Sequence, residues 1–252
     1  MNSPFDLTEQ VALVTGANTG LGQAIAIALA QAGANIAAVG RSTPAQTLAA
    51  VNAAGRSGIW IEADFDRSDG LSVLVDRVVS ELGRIDILVN NAGTIRRNDA
   101  LDFTEEDWDA VLDVNLKSVF FLAQAVARHW VEQARGGKII NIASMLSFQG
   151  GVRVASYTAS KSGLVGITRL LANEWAVRGI NVNAIAPGYF ATNNTQALRE
   201  DVKRSAAILE RIPAGRWGEP TDVGGAAVFL ASRAADYVHG AVLPVDGGWL
   251  AR

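Results

Sequence analysis

The chain has 252 residues, of which 49% are hydrophobic and 19% are charged, and its formal net charge is −3. This apolar content can fill a sizeable core and excludes a disordered chain, and the weak negative charge provides no basic stripe for nucleic acid. The absence of cysteine excludes disulfides and thiolate metal sites, and two histidines are too few for a multi-histidine metal site.

Short β-branched apolar runs alternate with longer helical patterns along the chain. The predicted strands are residues 11–15, 35–39, 58–62, 86–90, 137–142, 180–186 and 241–245. The predicted helices are residues 21–32, 44–54, 69–82, 104–133, 156–178, 196–211 and 220–231. The alternation predicts an α/β fold, a doubly wound parallel sheet of seven strands with helices on both faces, in one domain over residues 1–252. The least regular stretch, residues 189–218, is predicted to be a substrate lid.

A glycine-rich segment joins the first predicted strand to the first predicted helix. Its glycines permit a tight turn and a close backbone approach to a pyrophosphate, and the helix that follows presents free N–H groups to that anion. The segment therefore predicts a dinucleotide phosphate site formed by Gly16, Asn18, Thr19, Gly20, Leu21 and Gly22.

The adenosine end of such a site is less regular. An acid that would hold the ribose is missing after the second strand, where Arg41 stands instead. Arg41 either pairs with a 2′-phosphate, which favours NADP, or stacks on adenine while NAD binds, or is only a solvated turn residue. Asp64, beside Phe65, is a candidate acceptor for the adenine amino group. Small residues after the fourth strand leave room for the cofactor rings: Asn91, Ala92 and Gly93.

Tyr157 and Lys161 are four residues apart and share one face of a predicted helix. An ammonium near a phenol favours the phenolate, so we expect the pKa of Tyr157 to fall below its usual value of about 10. Tyr157 would then exchange protons near neutral pH. Ser144 lies thirteen positions upstream and is predicted to belong to the same site.

These motifs together resemble the short-chain dehydrogenase/reductase family over essentially the whole chain. The resemblance rests on residues 15–22, 90–93 and 187–188 and on four side chains in the family's order, Asn115, Ser144, Tyr157 and Lys161. It implies a Rossmann-type fold and hydride transfer between NAD or NADP and a keto or hydroxy group. The resemblance favours NAD, whereas Arg41 favours NADP.

The resemblance also implies residue roles. Tyr157 is the general acid or base, Lys161 lowers the pKa of Tyr157 and binds the nicotinamide ribose, and Ser144 binds the reacting oxygen. Asn115, by its side chain or by a local helix irregularity, holds a water beside Lys161. The nicotinamide is lined by Pro187, Gly188 and Thr192.

Residues 141–151, 186–195 and 211–218 are similar to family members that act on deoxy sugar acids in bacterial uronate breakdown. The expected substrate contacts are Ser144, Met145, Gln149, Tyr157, Arg96, Arg153, Asn193 and Arg204. One alternative is a reductase of another ketone or of a 3-oxoacyl substrate, but the polar composition of residues 191–204 favours a sugar acid. Another is a cofactor-binding regulatory protein without turnover, which the presence of Tyr157 and Lys161 disfavours.

The resemblance further implies a homotetramer, assembled through residues 104–133 and 156–178 and the C-terminal segment. The N-terminus lacks a secretory signal pattern, and the unbroken apolar runs are too short to span a bilayer. We therefore expect a cytoplasmic protein with no metal, nucleic-acid or membrane partner.

Overall fold

The computed structural model describes residues 3–252, and seven parallel strands form its central sheet. They are β1 (Val11–Thr15), β2 (Asn35–Gly40), β3 (Gly58–Glu62), β4 (Ile87–Asn90), β5 (Gly137–Ile142), β6 (Ile180–Pro187) and β7 (Val242–Val245). Every residue of β1 and β6 is buried, as expected for parallel strands that are covered on both faces. The predicted α/β class and the seven-stranded parallel sheet are confirmed, and no strand end differs from prediction by more than one residue.

The helices between the strands are α1 (Gly20–Gln31), α2 (Ala45–Ala53), α3 (Leu71–Leu82), α4 (Glu105–Leu112), α5 (Ser118–Glu132), α6 (Ala155–Trp175), α7 (Gln196–Glu200), α8 (Val202–Arg211) and α9 (Gly224–Ala231). Apolar side chains of α1, α2 and α9 pack on one face of the sheet. Those of α3, α5 and α6 pack on the other face. Successive β1 residues alternate between these two cores, so the sheet is covered on both sides as predicted.

The strand order is β3-β2-β1-β4-β5-β6-β7. The chain therefore runs outward from β1 to β3 and then returns to the other side of β1 with β4. This reversal separates the connections that follow β1 and β4. A crevice opens there at the carboxyl ends of the strands, which is where ligands bind in open α/β sheets.

Two predicted helices are interrupted in the structure. The predicted helix 104–133 consists of α4, a π-helical turn (Asp113–Lys117) and α5. The predicted helix 196–211 breaks at Asp201, whose extended backbone (φ −77°, ψ 102°) separates α7 from α8. The Asp201 carboxylate accepts a hydrogen bond from the backbone N–H of Arg204 (3.0 Å) and so caps α8.

One helical segment within residues 3–252, Glu105–Glu132, is long and apolar enough to cross a membrane by length and composition. Half of its apolar window is buried in the protein. The buried side chains of α5 include Trp130, whose indole N–H donates to the backbone oxygen of Ile85 (2.7 Å). The segment therefore has the packing of a core helix.

Candidate active site

Hydrogen bonds join the ends of β1 and β4 at the crevice. The hydroxyl of Thr15 accepts from the backbone N–H groups of Asn91 and Ala92, both at 2.9 Å. The side-chain amide of Asn91 donates back to the backbone oxygens of Thr15 (2.9 Å) and Gly16 (3.2 Å). These bonds fix the loop after β1 against the loop after β4.

The glycines of the predicted phosphate loop occupy positions that other residues cannot fill. Gly16 and Gly20 have positive φ angles of 66° and 57°. A Cβ atom on Gly22 would overlap the backbone oxygen of Gly16 and the side-chain amide of Asn91. Thr19 precedes α1 without a side-chain capping bond, and no acidic residue lies in the first turn. The loop and helix therefore offer the free N–H groups and the close approach that a pyrophosphate requires.

The adenosine end of the crevice is open. The side-chain amide of Asn18 donates to the hydroxyl of Ser42 (2.8 Å), which places the turn containing Arg41 beside the phosphate loop. Arg41 and Asp64 are exposed, and Asp64 accepts a hydrogen bond from the backbone N–H of Asp66 (3.1 Å). Phe65 is buried. The geometry thus leaves the Arg41 side chain free to meet a ribose or its 2′-phosphate.

The structure brings the three predicted catalytic side chains around β5 together. Ser144 follows β5, and Tyr157 and Lys161 project from the first two turns of α6. The Lys161 ammonium lies 5.7 Å from the centre of the Tyr157 ring and donates a hydrogen bond to the backbone oxygen of Ile142 (2.6 Å). Lys161 is only 5% exposed.

The electrostatics of Tyr157 differ from the prediction. Burial raises the pKa of Tyr157 above its ordinary value of 10.0, and the Ser144 hydroxyl and the Arg97 charge lower it only in part. Burial also lowers the pKa of Lys161 from 10.5 to about 8. The expectation that Lys161 pulls the tyrosine pKa below its usual value was therefore wrong for this geometry. Desolvation outweighs the Ser144 hydroxyl and the Arg97 charge, and the hydrogen bond of the Lys161 ammonium goes to a backbone oxygen.

Asn115 lies in the π-helical turn and is fully buried. Its side-chain oxygen accepts from the backbone N–H of Thr94 (2.8 Å), and its amide donates to the backbone oxygen of Thr94 (2.9 Å) and to the hydroxyl of Ser160 (3.2 Å). The helix irregularity is present, but Asn115 bonds the residue next to Lys161 and not Lys161 itself. Its direct effect is to fix the loop that follows β4.

A cavity of about 300 Å³ joins these parts. It collects most of the predicted site residues, namely Gly16, Asn18, Thr19, Gly20, Leu21, Gly22, Asn91, Ala92, Gly93, Ser144, Tyr157, Lys161, Pro187, Gly188, Thr192 and Asn193. Six further residues line it that the sequence reasoning missed: Thr94, Ile142, Ala143, Phe190, Asn194 and Thr195. Adjacency to the predicted motifs was the one signal for them.

Most of the predicted substrate residues do not line this cavity. Arg96 pairs with Asp107 (3.3 Å) and Arg153 pairs with Asp99 (3.4 Å). Met145 is buried in an apolar cluster with Ile208 of α8, and the side-chain oxygen of Gln149 accepts from the indole of Trp249 (3.3 Å). Arg204 is exposed on α8.

The ends of the segment predicted as a lid are joined by backbone hydrogen bonds. Ala191 donates to the oxygen of Gly218, and Gly218 donates to the oxygen of Tyr189, both at 2.8 Å. The ring of Tyr189 packs edge-on against Trp217 and Trp249, with centroid distances of 5.5 and 4.9 Å. Among residues 3–252, no group of three or more His, Cys, Asp or Glu side chains is placed to hold a metal ion.

Residues 16–250 match a family model described as enoyl-(acyl carrier protein) reductase. The chain is 62% identical over 250 residues to the 2-dehydro-3-deoxy-D-gluconate 5-dehydrogenase of Escherichia coli (strain K12), covering 99% of both chains. The chain belongs to the short-chain dehydrogenase/reductase family. The predicted family and redox class are thereby confirmed.

Two solved short-chain dehydrogenase/reductase structures extend the comparison. One, from Agrobacterium tumefaciens with bound NADP, is 58% identical with a TM-score of 0.94 and full coverage of both chains. The other is a gluconate 5-dehydrogenase from Burkholderia cenocepacia in complex with NADP and tartrate. It is 39% identical with a TM-score of 0.94, and the alignment covers 99% of this chain and 98% of that one.

Proposed function

We propose that the protein is an NAD(P)-dependent oxidoreductase that transfers a hydride between the nicotinamide and a keto or hydroxy group of a deoxy sugar acid. The main support for the redox reaction is that the glycine loop, Ser144, Tyr157 and Lys161 line the same cavity. The sugar-acid substrate is supported by the 62% identity to a 2-dehydro-3-deoxy-D-gluconate 5-dehydrogenase.

Tyr157 acts on the reacting oxygen. Because burial raises its pKa, the phenol is protonated at neutral pH and can donate its proton to a carbonyl oxygen as the carbonyl carbon is reduced. Oxidation of an alcohol needs the phenolate, which accepts the hydroxyl proton. The Ser144 hydroxyl and the Arg97 charge both favour that phenolate, so we expect oxidation to accelerate as the pH rises.

Ser144 and Lys161 position the reactants. The Ser144 hydroxyl faces the phenol and is placed to bind the same substrate oxygen. The Lys161 ammonium is fixed on the Ile142 backbone oxygen and keeps two further donors for a ribose hydroxyl. When bound, the nicotinamide supplies or accepts the hydride.

The cofactor site fits a dinucleotide along its length. Gly16, Gly20 and Gly22 with the start of α1 receive the pyrophosphate, and Pro187, Gly188 and Thr192 border the nicotinamide end. Arg41, Asp64 and Phe65 do not line the cavity, and we propose that they meet the adenosine at its open end. The exposed guanidinium of Arg41 favours NADP, and relatives with bound NADP support the same choice.

Turnover measurements test the proposal. Purified protein is offered keto deoxy sugar acids with NADH and with NADPH, and 3-oxoacyl and simple ketone substrates serve as the competing class. We expect the sugar acids to give the higher kcat/KM. A higher kcat/KM for the 3-oxoacyl substrates would instead assign the protein to the 3-oxoacyl reductases, one of which is 40% identical to this chain.

The variant Tyr157→Phe tests the mechanism. We expect kcat to fall about 10²- to 10⁴-fold, because general acid–base catalysis contributes that much, while the Kd of the cofactor stays unchanged. Tyr237→Phe, at a fully exposed tyrosine, is the matched control. Retained turnover in Tyr157→Phe would refute the role of the phenol.

Three further features belong to the proposal. Residues 189–218 act as the substrate lid of a single domain, since their ends are joined and Thr192 and Asn193 reach the cavity. We propose a cytoplasmic homotetramer built through α5 and α6, where exposed Phe121, Val131 and Leu170 support a contact. Sedimentation that gives a monomer would overturn the assembly.

A further inference from the structure

Ser144 and the Tyr157–Lys161 pair lie on different elements of the fold. Ser144 begins the turn after β5, whereas Tyr157 and Lys161 belong to α6. The Ser144 hydroxyl and the Tyr157 phenol must both reach one substrate oxygen, and a misplacement of about 1 Å can cost about 10²-fold in rate. The turn and the helix therefore need a direct connection that keeps them in register.

Two serine hydroxyls connect this turn with the helix in opposite directions. Ser147, in the short 3₁₀ turn (Met145–Ser147), donates from its hydroxyl to the backbone oxygen of Lys161 at 2.6 Å. Ser162, on α6, donates from its hydroxyl to the backbone oxygen of Leu146 at 3.3 Å. The shorter bond comes from a half-buried side chain and the longer bond from an exposed one, so Ser147 makes the stronger connection.

Lys161 is thereby held at both ends. Its ammonium donates to the backbone oxygen of Ile142, the last residue of β5, and its backbone oxygen accepts from Ser147. Sliding or rotation of α6 against β5 would stretch both bonds. Ser147 itself does not line the cavity, so it can influence the reaction only through the residues that it holds.

The same turn orients Ser144. The backbone N–H of Leu146 donates to the Ser144 hydroxyl oxygen (3.1 Å), and the backbone N–H of Ser147 donates to the backbone oxygen of Ser144 (3.0 Å). The hydroxyl proton of Ser144 is left for the phenol or the substrate oxygen. Burial raises the pKa of Tyr157, and the Ser144 hydroxyl and then the Arg97 charge lower it. A displaced turn would therefore change the acidity of the phenol.

We propose that Ser147 is a positioning residue that locks the turn carrying Ser144 onto α6 and so sets the distance between the Ser144 hydroxyl and the Tyr157 phenol. The proposal rests on the proposed function, because it concerns the reaction of the same site. Inside a helix, the backbone oxygen of Lys161 also accepts from the N–H four residues on, so loss of the Ser147 hydroxyl leaves no buried acceptor unpaired. We therefore expect Ser147 to affect catalysis more than stability.

The variant Ser147→Ala removes the bond to Lys161. We expect kcat to fall about 10-fold, while the cofactor Kd changes by less than about 2-fold and the thermal midpoint by less than about 2 °C. Ser162→Ala, which loses the longer and exposed bond, should lower kcat by at most about 3-fold. Ser147→Thr keeps a hydroxyl and should recover most of the loss. Ser232→Ala removes a serine hydroxyl that is bonded to the Phe229 oxygen outside the cavity, and is the matched control.

A double-mutant cycle tests whether Ser147 acts through Ser144. In a Ser144→Ala background, Ser147→Ala should cost less than about 3-fold in kcat, because the turn no longer presents a hydroxyl to the phenol. The pH at which oxidation reaches half of its maximal rate should be higher in Ser147→Ala than in wild type, since the phenolate loses support from Ser144. A full loss in both backgrounds, or a pH profile equal to that of wild type, would overturn the proposal.

Titration of the phenol itself tests the proposal without turnover. The ultraviolet absorbance of the phenolate is followed with pH in wild type and in Ser147→Ala, and the titration of Tyr157→Phe is subtracted to isolate this tyrosine. We expect the midpoint of Ser147→Ala to lie at higher pH, and a midpoint that stays or falls would overturn the role of Ser147. If wild type turns over no sugar acid, the proposed function fails, whereas this titration still decides the role of Ser147, so the two failures are distinguishable.

Discussion

Lys161 is a buried ammonium, and its removal should change how stability depends on pH. Its pKa is lowered from 10.5 to about 8 by burial, so the folded state holds the charged form at a free-energy cost. Between pH 8 and 10.5 the unfolded chain binds more protons at this site than the folded protein. The free energy of unfolding contributed by Lys161 therefore rises with pH across that window.

The magnitude follows from the two pKa values. The ionisation of Lys161 lowers the free energy of unfolding by about 3 kcal/mol at pH 7 and by about 2 kcal/mol at pH 9. We therefore expect wild type to gain roughly 1 kcal/mol relative to Lys161→Met between these pH values. Lys161→Met also loses the hydrogen bond to the Ile142 oxygen, which lowers its free energy of unfolding by about 1–3 kcal/mol. This loss does not depend on pH as long as the lysine of wild type keeps the bond.

The assay is urea denaturation of the cofactor-free wild type and variant at pH 7, 8 and 9, at one protein concentration. Lys203→Met, at an exposed lysine of α8, corrects for the removal of a lysine as such. A difference between wild type and Lys161→Met that stays flat or falls with pH would refute the reasoning. It would mean that a phenolate at Tyr157 keeps the ammonium charged, as the sequence alone suggested.

Three other predictions concern the loop after β1, the π-helical turn and the adenosine end. Gly22→Ala should abolish cofactor binding measured by fluorescence, since the new Cβ overlaps the backbone oxygen of Gly16. The control Gly225→Ala, whose Cβ meets no atom within 4 Å, should bind the cofactor normally. Cofactor binding by both variants would contradict the close-approach argument. Asn115→Ala should lower the free energy of unfolding by about 1–3 kcal/mol because two part-buried backbone groups of Thr94 lose their partners, and a loss under about 0.5 kcal/mol in urea titration would rule this out. Arg41→Ala should raise KM for NADPH about 10-fold or more and change KM for NADH little; equal effects would dismiss a 2′-phosphate contact.

The strands were predictable because parallel strands buried on both faces are short apolar runs of β-branched residues. The interruption at Asp201 was not, because the apolar periodicity continues from α7 into α8 and the break depends on a side-chain cap. The π-helical turn at Asp113–Lys117 left no periodic signal either. Its cause is tertiary, since Asn115 turns toward the loop after β4.

The candidate site, like the fold, was predictable from the sequence only in part. The spacing of Tyr157 and Lys161, together with the family resemblance that includes Ser144, predicted that the three side chains share one cavity, and their catalytic roles stay predictions. The direction of the Tyr157 pKa shift could not be read from the sequence, because four-residue spacing reveals a nearby ammonium but not desolvation. Likewise, nothing in the pair Arg96-Arg97 tells which arginine meets Asp107 and which one remains unpaired.

The hydrogen bonds that join Tyr189 and Ala191 to Gly218 give the proposed lid the geometry of an insertion with neighbouring ends. Loop-closure free energy grows only slowly with length, so residues between these ends can be lengthened, shortened or exchanged with little effect on the sheet. The glycine loop and the tyrosine–lysine pair lie outside this segment. A library that varies only residues 196–207, which do not line the candidate active-site cavity, would therefore explore new lids while it leaves the redox machinery intact.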